Sequence, residues 1–123
     1  KHLRIHWKEG EKYFRNTLLD FNVANNVASW QWVAGSGADA APYFRIFNPI
    51  LQGEKFDKDG SYVKRWVPEL KNVPSKFIHR TWEMDDQTQK SINIKIGKDY
   101  PLPIVEHSKA REQALKAFDK ITK

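Results

Sequence analysis

Leu3, Trp7, Phe14, Leu18 and Phe21 recur at intervals of 4, 7, 4 and 3 residues, which lays them along one face of an α-helix. Lys8, Glu9, Glu11, Lys12 and Arg15 fill the other face. Gly10 weakens such a helix without breaking its pattern. The spacing predicts a helix from about Leu3 to Leu19, ending in Asp20-Phe21-Asn22. At the far end, Ala110, Ala114, Ala117, Phe118 and Ile121 share one face and predict a closing amphipathic helix. A chain that keeps the helical period at both ends is directed towards an all-α fold, with several helices joined by long ordered loops.

The middle of the chain reads less regularly. Asn22 is a plausible N-cap, and Gly35 and Gly37 are plausible terminators, so Val23 to Gly35 predicts a second short helix. Alternation around Trp30 and Trp32 would also suit a strand, but nothing nearby offers it a partner. Pro42 to Lys55 reads as an irregular, aromatic connection that packs down on the fold. Asp57-Lys58-Asp59-Gly60 is a turn, Ser61 can cap a helix carrying Tyr62, Val63, Trp66 and Val67, and Pro68 stops it. Val73 to Trp82 predicts a short helical turn after Pro74. Gln87 to Tyr100 is polar, and Ile92, Ile94 and Ile96 alternate as a brief extended piece would.

Composition narrows the function. With 123 residues the chain makes one domain at most. It has no cysteine, which excludes a disulfide framework, a Cys-ligated zinc and a thiol nucleophile. It carries 21 Lys+Arg against 15 Asp+Glu, a net +6 that favours anionic partners, although no block of like charge concentrates it. No apolar run approaches a membrane span and no signal segment opens the chain, so no membrane partner and a cytoplasmic location are expected. The chain begins at Lys1 without an initiator Met and is expected to be a piece of something longer.

Several local patterns invite a chemistry and fail its requirements. Gly35-Ser36-Gly37-Ala38-Asp39-Ala40 fits a relaxed dinucleotide fingerprint, but that fingerprint needs a strand before it, and a Trp-rich helix stands there. Asp57-Lys58-Asp59-Gly60 opens like a calcium loop, yet Gly falls at position 4 and Pro68 at position 12. His2 and His6 are four apart without an obvious third ligand, so no metal site is expected. Asp20, between Leu19 and Phe21, is expected to be half-buried and in need of donors. Five tryptophans in so short a chain are the larger anomaly. Trp66 and Trp82 read as packing residues. Trp30 and Trp32 lie about 200° apart on a helix, so one faces inward and the other a cavity or the surface. Indole is among the easiest side chains to oxidise, and a file of indoles can pass single electrons.

The run from Ala24 to Pro49, Ala-Asn-Asn-Val-Ala-Ser-Trp-Gln-Trp-Val-Ala-Gly-Ser-Gly-Ala-Asp-Ala-Ala-Pro-Tyr-Phe-Arg-Ile-Phe-Asn-Pro, closely resembles the C-terminal flavin-binding region of the DNA photolyase/cryptochrome family. Trp7-Lys8-Glu9-Gly10-Glu11-Lys12-Tyr13-Phe14 resembles the same family's W-x-E-G-E-x-Y-F, and Gln52 to Asp57 and Tyr100 to Arg111 resemble later family segments. The resemblance covers nearly the whole chain and is weakest from about Asp85 to Asp99. It implies that residues 1–123 are the last part of a helical FAD-binding domain, without the antenna domain and the upstream half of the flavin site.

It also implies roles. Asp20 matches the family's flavin-contacting Asp, and Asn22 the second position of a frequent D-x-D pair, where the commoner residue is Asp. Asn26 matches the residue facing the flavin N5. Trp30 matches the indole nearest the flavin in an electron relay and Trp7 the middle one, the third lying before Lys1. Trp32 matches the ring that packs against a flipped pyrimidine dimer, and Arg45, Gln52 and Lys55 fall near the DNA-facing rim. The W-x-W pair resembles the class I branch that repairs cyclobutane pyrimidine dimers. The implied chemistry is light-driven electron transfer from reduced FAD to a dimer flipped out of UV-damaged DNA. The alternative is a photoreceptor of the cryptochrome branch without repair activity. The piece by itself is expected to be inactive and to self-associate through apolar surface.

Overall fold

The computed structural model describes residues 1–38 and 44–122, and its described residues form six α-helices, three short 3-10 turns and no strand. The helices are α1 (Trp7–Thr17), α2 (Val23–Ala34), α3 (Pro49–Phe56), α4 (Ser61–Trp66), α5 (Asp86–Ser91) and α6 (His107–Thr122). The chain divides into two compact units, the first formed by residues 1–46 with 105–123 and the second by residues 47–104.

In the first unit α1 packs against α2. Helix α1 is shorter than the periodicity predicts. His6, in extended backbone, caps it by accepting from the Lys8 amide at 3.2 Å, so Leu3 and Ile5 fall outside and are exposed. Leu18 closes the helix in extended backbone, and Leu19 is fully exposed. The spacing placed Leu3 on the helical face, but a helix starts where its first free amides find an acceptor. Helix α2 follows its sequence signals closely. Asn22 accepts from the Asn25 amide at 3.0 Å, and Gly35 ends the helix with φ +75°, a left-handed conformation that suits glycine. The strand alternative for Trp30 and Trp32 is thereby excluded, and Gly35 belongs to a helix end rather than to a phosphate loop. Asp39 and Ala40 of that fingerprint, with Pro42 and Tyr43, lie outside the described residues. Helix α6 buries Ala110 and Ala114 and stacks Phe118 on Phe44 at 4.3 Å, whereas Ala117 and Ile121 of the predicted face are exposed.

The second unit is built around Leu70, Val73, Ile78, Met84 and Ile94, with Val63, Val67, Phe77, Ile92, Ile96 and Tyr100 packed against them. Burying such side chains contributes roughly 1.5–3 kcal/mol each, which outweighs the propensity of helices as short as α4 and α5. The connection predicted as irregular contains α3. Asn48 accepts from the Ile50 and Leu51 amides and Pro49 occupies the first turn, the arrangement that starts a helix. Ser61 does not cap α4. The Asp57 carboxylate does, accepting from Tyr62 at 3.0 Å and Val63 at 3.2 Å. The turn after Pro74 is two 3-10 turns, Ser75–Phe77 and Thr81–Glu83. The polar stretch after Gln87 carries α5, capped by Asp85, and the alternating isoleucines make only a single bridge, Ile96 to Tyr100. Trp66 and Trp82, read as packing residues, are 62% and 37% exposed.

Candidate functional site

Helix α1 carries Trp7, Gly10, Glu11 and Phe14 within two turns, and α2 carries Asn26 and Trp30 one turn apart. A Cβ at Gly10 would lie 2.2–2.6 Å from the six-membered ring of Trp30. Glycine is therefore what lets α2 press its indole onto α1. Phe14 meets the same indole edge-on at 5.2 Å, a favoured aromatic geometry.

Beside this contact opens a cleft of about 470 Å³. Phe14, Leu18, Trp30 and Val33 give it apolar walls, and Asp20, Asn22, Asn25, Asn26 and Ser29 give it a polar edge. Its size and its mixture of aromatic wall and few polar groups fit the flank of a planar heterocycle. Of the sequence-predicted residues the structure brings Asp20, Asn22, Asn26 and Trp30 together here. Asp20 is exposed to the cleft rather than half-buried, because Leu18 and Leu19 beside it stay open and the capping bond is made by Asn22.

Asn26 is buried and its orientation is fixed. Its Nδ2 donates to the Glu11 main-chain carbonyl at 3.0 Å and to Glu11 Oε1 at 3.3 Å. A carbonyl can only accept, so the amine side of the amide must face Glu11. The Asn26 oxygen is the atom left for the cleft. Glu11, assigned by the periodicity to the solvent face, is buried at 6% exposure. Arg15 compensates its charge with two bonds, at 2.7 and 3.1 Å. The i,i+4 spacing of Glu11 and Arg15 was the one signal that could have marked the pair.

Trp7 lies in a second cleft of about 530 Å³ that shares no residue with the first, lined with Lys8, Glu11, Lys12, Arg15 and Val27 among others. It stands three residues before Gly10, on the α1 face that meets Trp30. Trp32 is 47% exposed and does not line the first cleft. Arg45, exposed in the first unit, accepts at its main-chain oxygen from the Lys1 ammonium. Gln52 and Lys55 lie on α3 in the second unit, and the Lys55 ammonium sits over the Phe56 ring at 5.1 Å. His2 and His6 do not converge. His2 bonds His107 at 2.9 Å while His6 caps α1, and no metal-binding group of three ligands exists among the described residues.

The chain is 59% identical over all 123 residues to the deoxyribodipyrimidine photo-lyase of Agrobacterium fabrum, and 49% identical over 119 residues to that of Escherichia coli K12. It covers 26% and 24% of those proteins, so it spans about a quarter of the curated relatives it matches. Its fold matches a bacterial class III photolyase from Agrobacterium tumefaciens with a TM-score of 0.90 at 59% identity, over 99% of this chain and 25% of that one. That branch differs from the class I branch the sequence resembles. It also matches a Synechocystis cryptochrome with a TM-score of 0.85 at 38% identity, over 94% of this chain and 24% of that one. The profile of the FAD binding domain of DNA photolyase matches residues 1–120, and the chain belongs to that family.

Proposed function

We propose that the chain is the distal part of the FAD-binding domain of a deoxyribodipyrimidine photo-lyase, a DNA-repair flavoprotein of the cytoplasm that splits cyclobutane pyrimidine dimers in light. The observation that carries this reading is the convergence of Asn26 and Trp30 on one cleft, in a chain 59% identical to a curated photo-lyase over its whole length.

The cleft fits part of FAD. Bound there, FAD supplies the light absorption and the one-electron chemistry. Asp20, Asn22 and Asn26 hold its polar edge, and the indole of Trp30 flanks it. The Asn26 oxygen, fixed by the bonds of its amine side to Glu11, accepts a hydrogen bond without adding a charge to the cleft. Trp30 and Trp7 pass single electrons inward, Trp30 giving one up and recovering it from Trp7 across the close approach at Gly10. That relay serves the reduction of the cofactor rather than repair itself. Trp32, on the other side of α2, offers its exposed ring to the flipped dimer, and Arg45, Gln52 and Lys55 meet phosphate. The net charge of +6 supports a DNA partner held through its backbone. Apolar side chains left open on the chain support self-association.

The cryptochrome neighbour favours a second reading, a flavin photoreceptor without repair. The amide at Asn26 and the second indole at Trp32 support repair. Thymine-dimer DNA incubated with the parent protein and reduced FAD distinguishes them. Dimers lost in blue light and retained in the dark are expected, and dimers retained in both sink the repair reading.

A further inference from the structure

His6 does two things at once. Its Nδ1 accepts from the Lys8 amide at 3.2 Å, and its ring stacks on Trp7 with 5.8 Å between centroids and 29° between planes. A main-chain amide can only donate, so Nδ1 carries no proton while α1 is capped. The imidazole lying against Trp7 is therefore neutral in this arrangement. The charged groups lining the same cleft are Lys8, Glu9, Glu11, Lys12 and Arg15, all from α1, with Val27 facing them from α2. Glu11 and Arg15 neutralise each other, and the Lys8 ammonium is 6.0 Å from the Trp7 ring. On the N-terminal stretch, Lys1 is engaged with Phe44 and the Arg45 carbonyl, His2 bonds His107, and Arg4 is exposed. Among these groups His6 is the one that stacks on the indole and can change its charge near neutral pH.

We propose that His6 is a positioning and tuning residue for Trp7, keeping the indole easy to oxidise while neutral and hard to oxidise when protonated. The inference rests on the reading of Trp7 as a relay residue. In the step concerned, one electron leaves Trp7 for the Trp30 radical cation, Trp30 is restored, and Trp7 is left with the positive charge. The electron that Trp30 first gave up went to photo-excited oxidised flavin. A cation on the face of a neutral indole is attracted to it, but the same cation repels an indole that has become positive. Protonation of His6 thus stabilises the reactant and destabilises the product of the step. It also removes the acceptor that caps α1.

The two roles separate by substitution. His6→Asn keeps a side-chain oxygen for the cap and removes the titrating ring, whereas His6→Ala removes both. The first readout needs no cofactor, because imidazolium quenches an adjacent indole. Between pH 8 and pH 5 the tryptophan emission of the 123-residue chain is expected to fall by about one fifth, the share of one indole among five, as its neighbouring histidine charges. This component is absent from His6→Asn and from Trp7→Phe, with helicity by circular dichroism unchanged in His6→Asn. If His6→Asn titrates as the wild type does, the proposal is overturned. The second readout is photoreduction of FAD by the flavin-loaded protein. Its rate is expected to fall about threefold over the same range, as for a unit charge at this separation in near-aqueous surroundings, and to stay flat in His6→Asn. A flat wild-type profile overturns the proposal. If Trp7→Phe photoreduces FAD as fast as the wild type, the relay reading fails, and the quenching result still reports whether His6 and Trp7 are coupled.

Discussion

Gly10 is where two opposing effects on one residue can be weighed. Alanine there gains about 1 kcal/mol of helix propensity. Its methyl, however, would stand 2.2–2.6 Å from the Trp30 ring, which Phe14 and α1 already hold in place. Forcing such an overlap costs about 1–3 kcal/mol, so Gly10→Ala is expected to lose up to about 2 kcal/mol in urea unfolding. A net gain near 1 kcal/mol would mean that the indole does not rest on α1. The same residue shows how far the sequence could be read. Its place in a W-x-E-G-E run marked the family, but a helical period treats glycine only as a weak spot. The reason for it lies twenty residues away in Trp30, and a contact of that kind has no local signature. Glu11 was misassigned for a related cause, since the period counts a carboxylate as a solvent residue and its burial depends on Arg15 and Asn26 together.

At the scale of elements, caps decided what was legible. Helix α2 carries both of its ends in its sequence, Asn22 and Gly35, and was read almost residue for residue. Helix α3 has an equally clear start in Asn48-Pro49, but it sits inside an aromatic stretch whose apolar residues lack a helical period. Helix α4 is capped by a residue four positions upstream of its first, which the turn reading of Asp57 concealed. That cap makes a prediction. The Tyr62 amide, and after it that of Val63, hold the Asp57 carboxyl below its usual value of 3.8, with His79 adding to the effect and burial opposing it. A depressed carboxyl contributes stability above its unfolded value and loses it as the pH falls through its folded value. The thermal midpoint is therefore expected to hold from pH 7 to about 5 and to drop below pH 3.8. Asp57→Asn, which keeps an acceptor but does not titrate, should show a shallower acid drop measured by circular dichroism. Identical acid profiles would show that Asp57 is not the cap.

Over the whole molecule, each unit has its own set of buried side chains, yet much apolar surface remains open: Leu19 fully, Ile104 at 84%, Ile121 at 75% and Phe56 at 73%. Contiguous exposure of this kind drives association. The chain is expected to elute as a dimer or larger species by light scattering at micromolar concentration, and a monodisperse monomer would count against this. No helix among the described residues is long and apolar enough to cross a membrane, so a bilayer-spanning helix is not what this surface provides. The central claim concerns the cleft of Phe14, Asn26 and Trp30, and titration of FAD into the purified chain tests it most directly. Tryptophan emission is expected to be quenched saturably, and Trp30→Phe to remove most of that quenching. Saturable quenching that persists undiminished in Trp30→Phe, or no quenching in either protein, would contradict the placement of the flavin against this indole.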